Sequence, residues 1–291
     1  MSEDAPRRTI QQSRAVARIP VRTSGGGPAQ DGQIASRPGA RWRLPGVVVK
    51  ALQNTPERAL RTAVGRRPDE PRVVAFVSTK GGVGTTSTAA GVALALAEVW
   101  PLKVALADTR TGTASLGQLL SGAPVQDAMT FAAGIVELTR PAGMTIVDSA
   151  PWDTPLSRPM LARLVNDLVE HHLFTLLDVG QGGTEVGQAA LARADRVVVV
   201  TTGGAEAASG LDSVTARLSA LDYLDKTVVA VVRAGGLGSH QDRRLGGVQP
   251  PGETVHVPWD PAFTTGKLLE IGRLRRRTRL AYLRLAAICV R

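Results

Sequence analysis

One cysteine, Cys289, occurs in the whole chain. That scarcity excludes a disulfide framework, a zinc site built on cysteines and an iron–sulfur cluster held by them, and it suits a reducing compartment. Aromatic residues are also few, 3% of 291 residues, so the core has to be built from Ala, Val and Leu; an apolar share of 43% supplies enough of them. No apolar run is long enough to span a bilayer, and the first residues are polar and arginine-rich without an apolar signal core. A cytoplasmic protein, or one held peripherally at the membrane, is expected.

Acidic residues are missing where basic ones gather. Residues 1–72 hold 14 Lys/Arg against 6 Asp/Glu, or +8, and residues 272–291 hold 7 Arg and no acid, or +7. The stretch between, 73–271, has 14 basic and 19 acidic residues, or −5, within a total of +10. A mildly acidic body thus carries two basic ends, which would suit nonspecific DNA, an anionic membrane surface or a protein partner. Simple solubility is the alternative.

What the chain does have is a run from Val73 to Val99, VVAFVSTKGGVGTTSTAAGVALALAEV. Val73–Val77 reads as a strand buried on both faces, and a helix of small residues begins at Thr86. Between them, Gly81, Gly82 and Gly84 lack a Cβ, so the backbone can aim successive N–H groups at one anion over the helix N-terminus. Thr86 would set a hydroxyl on a bound magnesium. A glycine-rich turn without a ligand is the plainer alternative. The dinucleotide fingerprint GxGxxG is not met, because Ser87 stands where its last glycine would.

Residues Thr79–Thr86, TKGGVGTT, resemble the deviant Walker A motif of the ParA/MinD family of P-loop ATPases, x-K-G-G-x-G-K-[S/T]. The resemblance implies ATP and Mg²⁺ as cofactors, with Lys80, Gly81, Gly82, Val83, Gly84, Thr85, Thr86 and Ser87 around the phosphates. It also implies a nucleotide-dependent homodimer in which Lys80 reaches the partner's phosphates. The family's second lysine is replaced by Thr85, which offers a neutral hydrogen bond where an ammonium would make a charge-assisted one. The nitrogenase iron protein, which shares this loop, is excluded by the cysteine count.

Further along, Leu102–Ala107 reads as a strand ending at Asp108, and the resemblance places Asp108 on the first acid of the family's D-x-D and Arg110 near the second. An arginine cannot orient water as a carboxylate does. Two later strands end in aspartate, Met144–Asp148 and Phe174–Asp178. Asp178 is the preferred Walker B equivalent, because Ala194-Asp195 and the apolar run Val197–Thr201 follow it in the family's order. Catalytic roles are therefore expected for Lys80, Asp108 and Asp178, and a magnesium shell for Thr86, Asp108 and Asp178. Gly180 would offer its N–H to a γ-phosphate. Pro155–His172 has the period of a covering helix, with His171 and His172 at its dipole end. After the strand Thr227–Val232, Arg233 stands where relatives carry an adenine-reading Asn or Asp, and Val255–Asp260 matches the final strand and V-P-x-D turn, with Pro258 beside the base. Leu237–Gly252 reads as a loop and Thr278–Val290 as a terminal amphipathic helix.

The expected fold is α/β, three-layered, a mostly parallel sheet flanked by helices of the P-loop NTPase, ParA/MinD type. Residues 1–70 are expected as a flexible basic tail, with Trp42, Leu44, Val47, Val48 and Leu52 as an interfacial segment cut by Pro45 and Pro56, and 71–291 as the ATPase-like domain. Within the family, Ala150-Pro151-Trp152, the VPWDP turn and the Trp-containing lead-in look most like actinobacterial proteins associated with type VII secretion. The function expected is an ATP-dependent switch in positioning, partitioning or secretion-associated assembly, with slow or no hydrolysis. The alternatives are a pseudo-ATPase scaffold and a nonspecific DNA-binding protein with an idle pocket.

Overall fold

Uninterrupted β-branched runs such as Val197–Val200 bury well only between two layers of helices, and that is where they lie. The computed structural model describes residues 55–110, 116–121, 126–127, 143–148, 156–233, 250, 252–264 and 268–291. The described strands are β1 (Arg72–Ser78), β2 (Val104–Asp108), β3 (Gln126–Asp127), β4 (Thr145–Asp148), β5 (Phe174–Gly180), β6 (Arg196–Thr202), β7 (Thr227–Val232) and β8 (Glu253–Val257). They form one sheet in the order β3-β4-β2-β5-β1-β6-β7-β8, and every pairing is parallel.

Side chains alternate across this sheet with the period of two that a strand imposes. Val74 and Phe76 of β1 face one apolar layer, made with α1 (Glu57–Val64), α2 (Thr85–Ala97), α3 (Leu116–Leu120) and α7 (Arg276–Cys289). Val73, Ala75 and Val77 face the other, made with α4 (Arg158–His171), α5 (Glu185–Arg193) and α6 (Ala205–Ala220). Among the described residues no helix is long and apolar enough to cross a membrane.

The helix α1 lies inside the stretch expected as tail. Pro56 precedes it as N-cap rather than breaking it, in keeping with proline's tolerance where N–H groups have no helical partner. Leu60 and Val64 are fully buried, Trp100 Nε1 donates to the Val64 carbonyl at 2.8 Å, and Glu57 faces Arg279 at 3.4 Å and Arg276 at 3.9 Å. The packed body therefore starts by Glu57. The interfacial segment expected before it, like Ser149–Trp152 and most of Leu237–Gly252, lies outside the described residues.

The helix α2 is buried almost all round because it runs between the sheet and α7. Small residues make that possible, above all Gly91, whose absent Cβ would lie 2.4 Å from Tyr282 Cε2. His171 and His172, at the end of α4, give their Nδ1 to the carbonyls of Asp167 and Leu168 at 2.8 and 2.9 Å. Thr145 and His172 Nε2 are hydrogen-bonded at 2.8 Å.

The sheet's order reverses around β1. The chain leaves β1 for β2 on one side of it and, after β5, crosses to β6 on the other. In open parallel sheets the crevice beyond the carboxyl ends of such strands is where ligands bind, and the glycine-rich loop sits there.

Candidate functional site

The loop joins β1 to α2. Thr79 N–H donates to the Val200 carbonyl at 3.1 Å, and its hydroxyl meets that of Thr201 at 3.1 Å, tying the loop's first residue to β6. Val83 turns into the core, 3% exposed, while Gly82 (φ +77°) and Gly84 (φ +90°) adopt left-handed backbone that glycine alone takes without cost. Gly84 is the N-cap of α2. A Cβ on Gly81 or Gly82 would meet nothing within 4 Å, so the space above the loop is open. Lys80 is exposed on its rim, Thr85 is buried at the helix start, and Thr86 and Ser87 are half-buried. This is an anion cradle: N–H groups free of helical partners, a dipole behind them and room in front.

The acids come next. Asp178 lies on β5, the strand beside β1, at the level of Phe76. Asp108 lies on β2 opposite Asp178. Both carboxylates are fully buried. Asp148, the other strand-end aspartate, is on β4, with β2 and β5 between it and β1, and accepts the Gly117 N–H at 3.1 Å. Pro258 follows β8 and is half-buried, three strand positions from β1.

Sequence reasoning left Arg110 as a departure from a motif. The structure gives it a place. Its Nε and Nη2 donate to Asp108 Oδ1 and Oδ2 at 3.0 and 2.9 Å, and its own N–H donates to Oδ1 at 2.9 Å. Nη2 also lies 3.0 Å from Asp178 Oδ2. The contact to Asp178 is an ion pair rather than an aligned hydrogen bond, since neither Asp178 oxygen has a hydrogen-bond partner of good geometry. Gly180 (φ +68°) makes room for this side chain: a Cβ there would be 2.6 Å from Arg110 Cδ.

Burial and the neighbouring Asp178 push Asp108 up to about 7, against the pull of Arg110. Asp178 is raised by burial above all, while the Arg110 charge draws it down. Burial alone would lower Arg110, but Asp108 and Asp178 outweigh it and hold the guanidinium charged. Asp108 therefore takes up a proton on folding between its ordinary 3.8 and about 7. The native state binds more protons than the unfolded one in that window, so stability falls as pH rises through it, by at most about 4 kcal/mol. Asp108→Asn, which cannot titrate, should gain melting temperature relative to the unmodified protein from about pH 4 to about pH 7. A pH-independent difference in thermal melts would reject the shift.

Of the donors expected for magnesium, Asp108 and Asp178 face each other on neighbouring strands, and Thr86 is half-buried in the first turn of α2. Yet the Arg110 guanidinium already occupies both oxygens of Asp108 and lies 3.0 Å from Asp178, where a second cation would be repelled. As arranged, these residues do not fit a divalent cation.

No protein-family model and no curated protein matches the chain. Solved structures do. The MinC:MinD cell division complex of Aquifex aeolicus superposes with a TM-score of 0.60 at 22% identity, over 74% of this chain and 93% of that one. The fold is that of the MinD and ParA ATPases. The septum site-determining protein MinD of Pyrococcus horikoshii, complexed with Mg-ADP, gives 0.59 at 20% identity, over 74% and 94%. A ParA family ATPase of Chlorobium tepidum gives 0.55 at 17%, over 75% and 96%. The MinD and ParA likeness covers nearly the whole of those chains, and at such identities it concerns the fold; the chemistry has to come from this chain's own residues.

Proposed function

We propose that this chain is a nucleotide-binding switch of the MinD/ParA type that holds ATP or ADP and hydrolyses it slowly or not at all. The observation that carries the reading is the loop itself: Gly82 and Gly84 in left-handed backbone at the start of α2, at the carboxyl edge of the sheet, under open space. The Mg-ADP bound by the MinD of Pyrococcus horikoshii supports a nucleotide in this fold.

Lys80, exposed on the rim, is the residue we propose to act across a nucleotide-dependent homodimer, and the complex of MinD with MinC supports a protein partner. The basic ends would present the charge for that partner, for DNA or for an anionic membrane surface. A role in positioning, partitioning or type VII secretion-associated assembly, in the cytoplasm, completes the proposal.

Slow turnover follows from two residues. Thr85 replaces a charged donor, and Arg110 replaces an acid; loss of one electrostatic donor costs on the order of 10²–10³ in rate. The pseudo-ATPase scaffold is the second reading, favoured by the guanidinium that spans Asp108 and Asp178.

Titration calorimetry of the full chain with ATP and with ADP separates the two. Saturable binding of one nucleotide per protomer is expected, and no heat up to millimolar nucleotide would leave the scaffold. Thr85→Lys should then tighten ATP about tenfold or more, the worth of a charged hydrogen bond. Unchanged affinity would mean that the phosphates do not pass Thr85.

A further inference from the structure

Two buried carboxylates at paired positions of neighbouring strands stay ionised together only with a cation between them; otherwise one keeps a proton. In this chain the cation is covalently attached. We propose that the Arg110 guanidinium is the resident counter-ion of the site, standing where a divalent metal would join Asp108, Asp178 and the Thr86 hydroxyl, so that the protein takes a nucleoside polyphosphate without a metal.

The geometry is that of a designed seat. Arg110 Nε and Nη2 occupy both oxygens of Asp108 at 3.0 and 2.9 Å, a planar fork that only arginine offers. The same Nη2 lies 3.0 Å from Asp178. Asp178 lies on β5 beside β1, level with Phe76, so the guanidinium sits at the carboxyl edge of the sheet next to the glycine-rich loop that leaves β1. Gly180 keeps the volume clear, since any side chain there would collide with Arg110 Cδ at 2.6 Å.

Charge balance makes guanidinium and metal alternatives. With both carboxylates ionised, the pair and one guanidinium leave a single negative charge, and a dication in the same seat would face the guanidinium at contact distance in a desolvated pocket. A guanidinium neutralises and positions, but it lacks the open coordination that activates water. The site it builds retains a nucleotide rather than turning it over.

The inference rests on the nucleotide-switch reading for its ligand alone, so its test has an arm that needs no nucleotide. Manganese is the metal probe, followed by the paramagnetic resonance of the free ion. The unmodified full chain should take up no stoichiometric Mn²⁺. Arg110→Gln, which keeps a polar side chain and drops the charge, should gain one site, at least about tenfold tighter than any in the parent. Arg110→Lys should gain none. In the nucleotide arm, the ADP affinity of the unmodified protein should agree within about threefold between excess Mg²⁺ and excess EDTA.

Stoichiometric Mn²⁺ uptake by the parent, no gain in a folded Arg110→Gln, or loss of ADP binding in EDTA would each overturn the proposal. If ADP and ATP both fail to bind, the switch reading falls while the manganese comparison still decides the role of Arg110. If Arg110→Gln does not fold, Mn²⁺ uptake by the parent decides it.

Discussion

Gly91→Ala is expected to lower the melting temperature by about 4–8 °C. The new Cβ would lie 2.4, 2.5 and 2.6 Å from three atoms of the Tyr282 ring. That ring is 2% exposed, with Phe263 edge-on to it at 6.2 Å, so it has nowhere to turn. Forcing one methyl into such a contact costs about 3 kcal/mol, and each kcal/mol moves the melting point of a domain this size by about 2–4 °C. Alanine's better helix propensity, worth about 1 kcal/mol, offsets only part of it. Tyr282→Leu in the same chain should recover some of the loss, because the two sites share one contact. Thermal denaturation by circular dichroism reads both, and an unaltered midpoint in the single variant would show that α7 does not press on α2 at Gly91.

Gly81→Asp is expected to abolish most nucleotide binding and leave the fold untouched. Its Cβ has nothing within 4 Å, so the fold has space for the side chain. The carboxylate would stand beside the anion that the cradle is built to hold. At ~5 Å and an effective dielectric near 20, each unit of phosphate charge repels it by about 3 kcal/mol, equivalent to about 100-fold in affinity. Calorimetry should show that loss and the melting temperature should stay put. Full retention of affinity would place the phosphates elsewhere.

Much of this site is written in short local patterns. Val73–Val77, the three glycines and Thr86 lie in one stretch, and strand, turn and helix are legible there from an unbroken apolar run, a glycine cluster and a run of small residues, without distant contacts. Asp178 could be preferred over Asp148 from the order of its neighbours, and the structure sets Asp178 beside β1 and Asp148 two strands farther out. Arg110 resisted such reading. Its seat exists because β2 and β5 are neighbours, with Asp108 opposite Asp178, a pairing between segments distant in the chain. Asp-x-Arg at the end of a buried strand was the local signal, and the second carboxylate was out of view. The helix α1 was missed for a different reason: Leu60 and Val64 have helical spacing, but the run is only eight residues long and Pro56, expected as a break, is its N-cap.

The pairing of α1 with α7 brings two stretches that are remote in sequence to one address. Glu57, almost at the start of the described residues, faces Arg276 and Arg279, so the described chain begins beside the arginine-rich start of α7, and residues 1–54, with 9 basic and 3 acidic side chains, precede that point in sequence. A polyanion caught by either stretch would meet the other at the high effective concentration of a tether rather than by a second collision. Two weak contacts joined in that way bind as one avid one, and cutting the chain ahead of α1 would separate them.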